Sequence, residues 1–375
     1  MRDKAMPLQV HALATHLTTM TTQSTPDRKK LGAFLGKVLA DTSGMMVTVM
    51  AHIGDRLGLF KQLAQGPATS TQLAARANIS ERYAREWLYL MASAGYVTYD
   101  PASHIFTLPP EHIPVLAQEG SPVFYGGVHQ MVMGSMKSID QLVQAFQSGG
   151  GVSPVAYDET VWQGMERLTR GQFDQLLIQS WLPAMPQVQG KLERGCQLAD
   201  VGCGHGWALI KLAQTYPDSR YTGYDRFEPL IARAEANAQA EGVADRVQFR
   251  HLDVSEGLPE PYDILTTFDV VHDAVSPRQL LRAIRQALRP DGRYVCLEIN
   301  SSDKAEENVG PRSTFLYGLS LLYCMPTSLH GQGEGLGTVG LPESKLRELC
   351  VEVGFSNVRH VPIDLPFNIL YEITP

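Results

Sequence analysis

The stretch Leu198-Ala199-Asp200-Val201-Gly202-Cys203-Gly204-His205-Gly206-Trp207 reads as a short apolar strand that breaks into a glycine loop and opens a helix. The glycines remove every Cβ where a ligand must approach the backbone. The following Ala208-Leu209-Ile210-Lys211-Leu212-Ala213 has helical periodicity. A loop of this kind cradles a nucleoside. A dinucleotide fingerprint G-x-G-x-x-G would need its third glycine at Trp207. Here the pattern is Asp200-x-Gly202-x-Gly204-x-Gly206, with an acid two residues ahead of the first glycine.

Four more strands follow. Arg220-Tyr221-Thr222-Gly223-Tyr224-Asp225 ends in an acid about 20 residues beyond the loop, where a carboxylate accepts hydrogen bonds from both hydroxyls of a ribose. A third strand spans Val247 to Val254 and carries Asp253 near its end, and a fourth runs from Tyr262 to Asp269. The fifth is Gly292 to Glu298, after the turn Pro290-Asp291-Gly292. Helical segments lie between them, which implies a doubly wound, largely parallel sheet with its ligand at the carboxyl ends of the strands. Taken singly, Asp200 reads as a loop cap and Asp225 and Asp253 as ordinary strand-end residues. In this order and spacing they read as one site.

On these residues the chain resembles class I S-adenosylmethionine (SAM) methyltransferases, with Asp200 to Gly206 at the place of their motif I. The resemblance implies SAM as cofactor and S-adenosylhomocysteine (SAH) as its product. It assigns cofactor binding to Asp200, Gly202, Gly204, Gly206, Asp225, Arg226, Asp253, Val254, Phe268 and Asp269. Asp225 would clamp the ribose, Asp253 would accept from the adenine amino group, and Val254 would pack on the ring. Cys203 and His205 read as spacers.

Ahead of the loop lies a different module. Gly44 to Gln65 carries an apolar helix ending near Leu57-Gly58-Leu59-Phe60; Ser70 or Thr71 caps a second helix, and Ser80 caps Glu81 to Met91. Two β stretches, Tyr96 to Tyr99 and Ile105 to Leu108, complete a winged helix. A groove-reading helix should present a basic face, but Arg82 and Arg85 are offset by Glu81 and Glu86, so nucleic acid is not the expected partner. The module resembles the N-terminal winged-helix domain of caffeic acid type O-methyltransferases and of bacterial winged-helix methyltransferases of the mycobacterial kind. That likeness implies a homodimer and a substrate wall. The fold class is therefore α/β: a Rossmann-like, doubly wound methyltransferase domain preceded by a mostly helical winged-helix domain. The boundaries expected are a flexible tail at 1–30, the winged helix at 31–118, a helical linker at 119–190 and the SAM domain at 191–375.

The bulk properties agree. A chain of 375 residues with 44% hydrophobic content supports a substantial core in more than one domain. A net charge of −7 argues against general nucleic-acid binding. The 5 cysteines have no paired or CxxC spacing, which suggests reduced thiols and a cytoplasmic setting. No apolar run reaches the length of a membrane span, and no signal-peptide core opens the chain, so no membrane association is expected.

The candidate chemistry follows the fourth strand, in Asp269-Val270-Val271-His272-Asp273-Ala274. In the caffeic acid type a His-Asp pair stands here as the general base, followed by Trp where this chain has Ala274; the resemblance makes His272 the base with Asp273 beside it and Glu298 as its orienting carboxylate. The family's further acid, expected near 339–341, has no equivalent, and Glu343 lies slightly beyond. A phenol with a pKa near 10 is about a thousandfold under-ionised at neutral pH, which is why a base matters for a hydroxyl acceptor. His272 also reads as a cap or packing residue, with catalysis by alignment alone. His129 and Met133 in a Met-rich linker segment, and Tyr317 and Tyr323 ahead of a glycine-rich stretch, are candidate substrate contacts, though core packing suits most of that linker. No cluster has metal spacing, so no metal is expected. The expectation is a SAM-dependent methyltransferase acting on a small molecule, at a hydroxyl oxygen. The alternatives are a sulfur acceptor needing no base, and a non-catalytic SAM-binding regulator.

Overall fold

The computed structural model describes residues 26–375. The expected tail lies outside the described residues as far as position 25, and its last residues are helical. Helix α1 spans Arg28–Arg56, with the Asp27 carboxylate capping the Lys29 and Lys30 amides. It starts well before the Gly44 expected from the sequence. Through Met46 its apolar side chains are exposed, Phe34 by 65% and Leu39 by 53%. Further on, the Trp87 indole donates to the Met50 carbonyl at 2.8 Å. By length and composition alone α1 is apolar enough to cross a membrane. Lys37, Asp41 and small polar residues interrupt its apolar run, so no span is legible in the sequence there.

The winged helix follows: α2 Leu59–Ala64, α3 Ser70–Ala77, α4 Glu81–Ser93, then β1 Thr98–Asp100 antiparallel to β2 Ile105–Thr107. The cap of α3 is Thr69, not Ser70 or Thr71, in a reciprocal capping box with Gln72. Leu59, Phe60, Leu73, Leu88, Met91 and Phe106 form its core. On α4, Arg82 pairs with Glu86 and Arg85 with Glu81, each one turn away. The linker folds as helices Gly126–Ser135, Ile139–Ser148 and Glu159–Gln172. Chain reversal at Gly149 and Gly150 uses positive φ at both. A Cβ on Gly127 would stand 2.5 Å from the Gly164 carbonyl oxygen, so the first and third of these helices meet backbone to backbone.

The remaining strands are β3 Gln197–Val201, β4 Arg220–Asp225, β5 Val247–His251, β6 Tyr262–Phe268, β7 Leu288–Ile299, β8 Asn357–Val361 and β9 Asn368–Thr374. They form one sheet in the order β5-β4-β3-β6-β7-β9-β8. The strands β3 to β7 are parallel, as expected, while β9 is antiparallel to β7 and β8 to β9. The third and fourth strands stop at His251 and Phe268, short of the acids read into them. The turn read at Pro290-Asp291-Gly292 is an irregularity within β7: Tyr262 faces Leu288, yet Ile264 already faces Arg293. The sheet's order reverses between β3 and β6, the position at which open α/β sheets hold ligands. Apolar clusters cover both faces, one around Trp181, Leu209 and Ile264, the other around Leu265, Leu281 and Leu349.

Candidate active site

At the reversal, β3 delivers Asp200, 2% exposed, whose Oδ1 accepts from Thr266 Oγ1 at 2.6 Å. Burial pushes its carboxyl up to about 7. The loop is braced from β4. Gly202 and Cys203 amides donate to the Tyr224 carbonyl at 2.8 and 3.0 Å. The Asp225 carboxylate accepts from the Gly204 amide at 3.0 Å and the Phe227 amide at 2.9 Å. Each of its oxygens keeps a lone pair for a ligand. The three glycines have different tasks, although all take positive φ. A Cβ at Gly202 would meet Val270 at 2.6 Å and one at Gly206 would meet Phe249 at 2.6 Å, whereas nothing stands within 4 Å of Gly204. Only Gly204 faces open space; the other two yield to the protein's own side chains.

Across the reversal, the chain leaves β6 through Asp269, a non-glycine residue at φ +57°. Its amide donates to the Leu297 carbonyl at 2.9 Å, and its Oδ1 accepts from Asn368 Nδ2 at 2.7 Å. Burial and the Glu298 charge push Asp269 up to about 7. The next turn holds His272, 4% exposed. Glu298, 1% exposed at the end of β7, accepts from the Val271 amide through Oε1 at 2.7 Å, and its Oε2 lies 2.6 Å from His272 Nδ1. His272 Nε2 lies 3.1 Å from Asp273 Oδ1. Burial disfavours the charged ring, but the Asp273 and Glu298 carboxylates outweigh it and hold the imidazole well above its ordinary value of 6.5. Asp273 is held low: burial alone would raise it, and the His272 charge overrides that.

The other sequence candidates divide. Arg226, in no ion pair of the described residues, favours the ionised forms of both Asp225 and Asp273. Asp253 caps the turn after β5, accepting from the Ser255 amide at 3.0 Å, while Val254 is buried in the core with Leu280 and Leu281. Phe268 packs edge-on against Phe173 at 5.2 Å. Tyr323 comes into the centre: it is buried, and the Asp273 and Asp225 charges add to burial in raising its phenol. Tyr317 is 38% exposed. His129 sits with Tyr125, ring centroids 5.3 Å apart, and its titration responds to Asp55 and His52 of α1; burial lowers it to about 4, leaving it neutral. Met133, one turn along the same helix, is half-buried. Glu343 is spent in an ion pair with Arg347.

Several residues at the centre carry no sequence signal. Trp162, Cys324, Thr338 and Asn368 come from segments far apart in the chain. Trp162 stands beside Tyr323, with its buried Nε1 unpartnered, and also lines a cleft of about 710 Å³ with Arg56, Lys61, Glu166, Arg167 and His205. Arg167 ties that cleft together, donating to Asp55 at 2.7 and 3.0 Å and to Glu119 at 2.7 and 2.9 Å. Donor atoms of His272, Asp273 and Cys324, and of Asp269, His272 and Glu298, converge within 4.8 Å in each set. The spacing would suit a cation, although sequence spacing gave no hint of it. In both sets the imidazole already lies against a carboxylate.

Residues 45–118 match the family of the Rv2258c-like winged HTH domain, and residues 192–322 match a methyltransferase domain. The mitomycin biosynthesis 6-O-methyltransferase of Streptomyces lavendulae is 26% identical over 255 residues, 66% of this chain and 72% of the relative. The chain is a SAM-dependent methyltransferase. A shorter match joins this methyltransferase to the 27-O-demethylrifamycin SV methyltransferase of Amycolatopsis mediterranei, 34% identical over 105 residues, 27% of this chain and 38% of the relative. In fold it is similar to the mitomycin 7-O-methyltransferase MmcR, with TM-score 0.66 and 21% identity over 93% of this chain and 99% of the other. It is likewise similar to the O-methyltransferase NcsB1, solved with SAH and 1,4-dihydroxy-2-naphthoic acid, with TM-score 0.61 and 19% identity over 90% and 98%.

The loop of this methyltransferase yields a stability ranking. Gly202→Ala and Gly206→Ala should each add overpacking of about 1–3 kcal/mol to the left-handed strain that Gly204→Ala shares. Denaturant midpoints would show it, and equal losses at all three positions would contradict the assignment of tasks.

Proposed function

We propose that the enzyme methylates a hydroxyl oxygen of a small molecule, with His272 as general base. The observation that carries this reading is the buried His272–Glu298 contact at 2.6 Å. It leaves Nε2 as the ring nitrogen available to an acceptor, because Asp273 Oδ1, though 3.1 Å away, makes no hydrogen bond of good geometry. Asp273 is also 29% exposed on its side chain and can give way. The relative named a mitomycin biosynthesis 6-O-methyltransferase supports an oxygen acceptor.

Asp225 would take the ribose hydroxyls with its free lone pairs, Gly204 would let the cofactor approach the loop, and Asp253 would face the adenine. SAM, when bound, would supply a methyl group on its sulfonium to the acceptor oxygen, with the neutral thioether of SAH as the leaving group. His272 Nε2 takes the hydroxyl proton as the O–CH3 bond forms, and Glu298 steadies the imidazolium that results. Tyr323 and Trp162 wall the acceptor side and exclude water. The resting imidazole is protonated, so turnover draws on its neutral form.

A pH dependence follows. The neutral share of His272 grows as pH rises through its raised pKa, so kcat/KM should climb on a limb lying above the ordinary histidine range. Asp273→Asn removes one of the carboxylates that hold the ring protonated and should move that limb to lower pH. His272→Ala should abolish the limb and lower turnover roughly a hundred- to ten-thousandfold with SAM affinity intact. Turnover within threefold of wild type in His272→Ala would end the base assignment and favour a sulfur acceptor.

We also infer that the exposed first half of α1 is covered by the same helix region of a second copy. Its exposed large apolar side chains, seven between Leu31 and Met46, are the kind of surface an obligate homodimer buries. Sedimentation at micromolar concentration should find a dimer that Phe34→Glu together with Leu39→Glu dissociates. A wild-type monomer would contradict the inference.

A further inference from the structure

Cys324 lies in a wide π-type turn, Ser320–Cys324, at the end of the helix Gly310–Leu319. Such turns concentrate at functional sites. Its Sγ is buried and within 4.8 Å of the donor atoms of both His272 and Asp273. Thr338, 3% exposed, donates its hydroxyl to Cys324 Sγ at 3.0 Å. The sulfur is thus used as an acceptor, and its own hydrogen must go elsewhere. Beside it stands Asp273 Oδ1, a buried acceptor atom with no hydrogen bond. Leaving such an atom unpaired is costly, and a thiol hydrogen rotates freely to reach it.

We propose that Cys324 is a positioning residue: its S–H donates to Asp273 Oδ1, with Thr338 fixing the sulfur, and so keeps that carboxylate from capturing His272 Nε2 in line. Burial pushes the thiol up to about 11, so it keeps the hydrogen it donates. The groups facing His272 are Glu298 from β7, Asp269 from the end of β6, Asp273 from its own turn, and Cys324. Arg226, beyond β4, and Tyr323 face Asp273. Among these, Cys324 is the neutral donor beside the unpaired oxygen; its sulfur also touches the imidazole and by itself favours the charged ring, an effect that the closer approach of a released Asp273 outweighs.

The proposal rests on His272 acting as base for its kinetic consequence, but not for its titration. Without the thiol, Asp273 falls back on Nε2 and the imidazole holds its proton more tightly. Cys324→Ala should therefore move the limb of the kcat/KM profile to higher pH by half a unit or more, opposite to Asp273→Asn, with KM for SAM unchanged. Cys324→Ser, which keeps a donor, should restore it. Thr338→Val should shift the limb in the same direction by less, and it carries the test if thermal melting shows that Cys324→Ala does not fold. The His272 ring resonance, assigned by its loss in His272→Ala, is titrated by NMR in the same variants without turnover. If wild type shows no His272-dependent limb, the base reading fails while the NMR midpoints still judge Cys324. Midpoints and limbs in Cys324→Ala or Thr338→Val that coincide with wild type, or move to lower pH, overturn the proposal. So does a folded Cys324→Ser that behaves as the alanine variant.

Discussion

The Glu298 carboxylate is the interaction on which the site is built. Buried at the end of β7, it spends one oxygen on the Val271 amide and the other on His272. The turn after β6 is thereby fastened to the neighbouring strand, and the imidazole is fixed in orientation. A buried carboxylate is tolerable only when paired and hydrogen-bonded. Here both conditions are met by the element it positions, so removing either partner leaves a buried charge behind. The left-handed Asp269 just before the turn is held by the same neighbourhood, through the Leu297 carbonyl and Asn368. Strain of that kind persists where surrounding contacts over-determine the backbone.

Negative charge is the second theme of this edge of the sheet. Asp200, Asp225, Asp269, Asp273 and Glu298 converge there, and the first three are all pushed upward by burial. His272 and Arg226 offset part of this charge. A cationic sulfonium suits what remains, and its conversion to the neutral thioether of SAH removes that attraction as the methyl leaves. The linker packs against this edge, where Glu166 accepts from Trp207 Nε1 at the end of the glycine loop, and Arg167 ties it to Asp55 and Glu119. Asp55 closes α1, whose first half stands free of the rest.

The parallel part of the fold was legible because short apolar strands alternate with helical segments and a glycine or an acid stands at or just beyond each strand's carboxyl end. Asp200 to Gly206 and Asp225 could be read from order and spacing, whereas the His272–Glu298 pair was legible only through the resemblance to caffeic acid type O-methyltransferases. The antiparallel strands β8 and β9 were not read, although Ile369-Leu370-Tyr371-Glu372-Ile373 has the apolar, β-prone character of a strand. The acceptor side was less legible. Trp162, Tyr323, Cys324 and Thr338 meet only through tertiary packing, and periodicity says which residues share a face, not which faces meet. His129 shows the converse: a histidine in a plausible pocket segment that responds to α1 and titrates low through burial.

The central claim is that the resting His272 is an imidazolium held between Glu298 and Asp273, with its Nδ1 proton directed to Glu298. Nitrogen-detected NMR of the ring in the ligand-free protein at neutral pH tests this most directly. Two protonated ring nitrogens, with a titration midpoint clearly above 6.5, are the predicted result. A neutral ring at neutral pH, or an Nδ1 without a proton, would contradict the account.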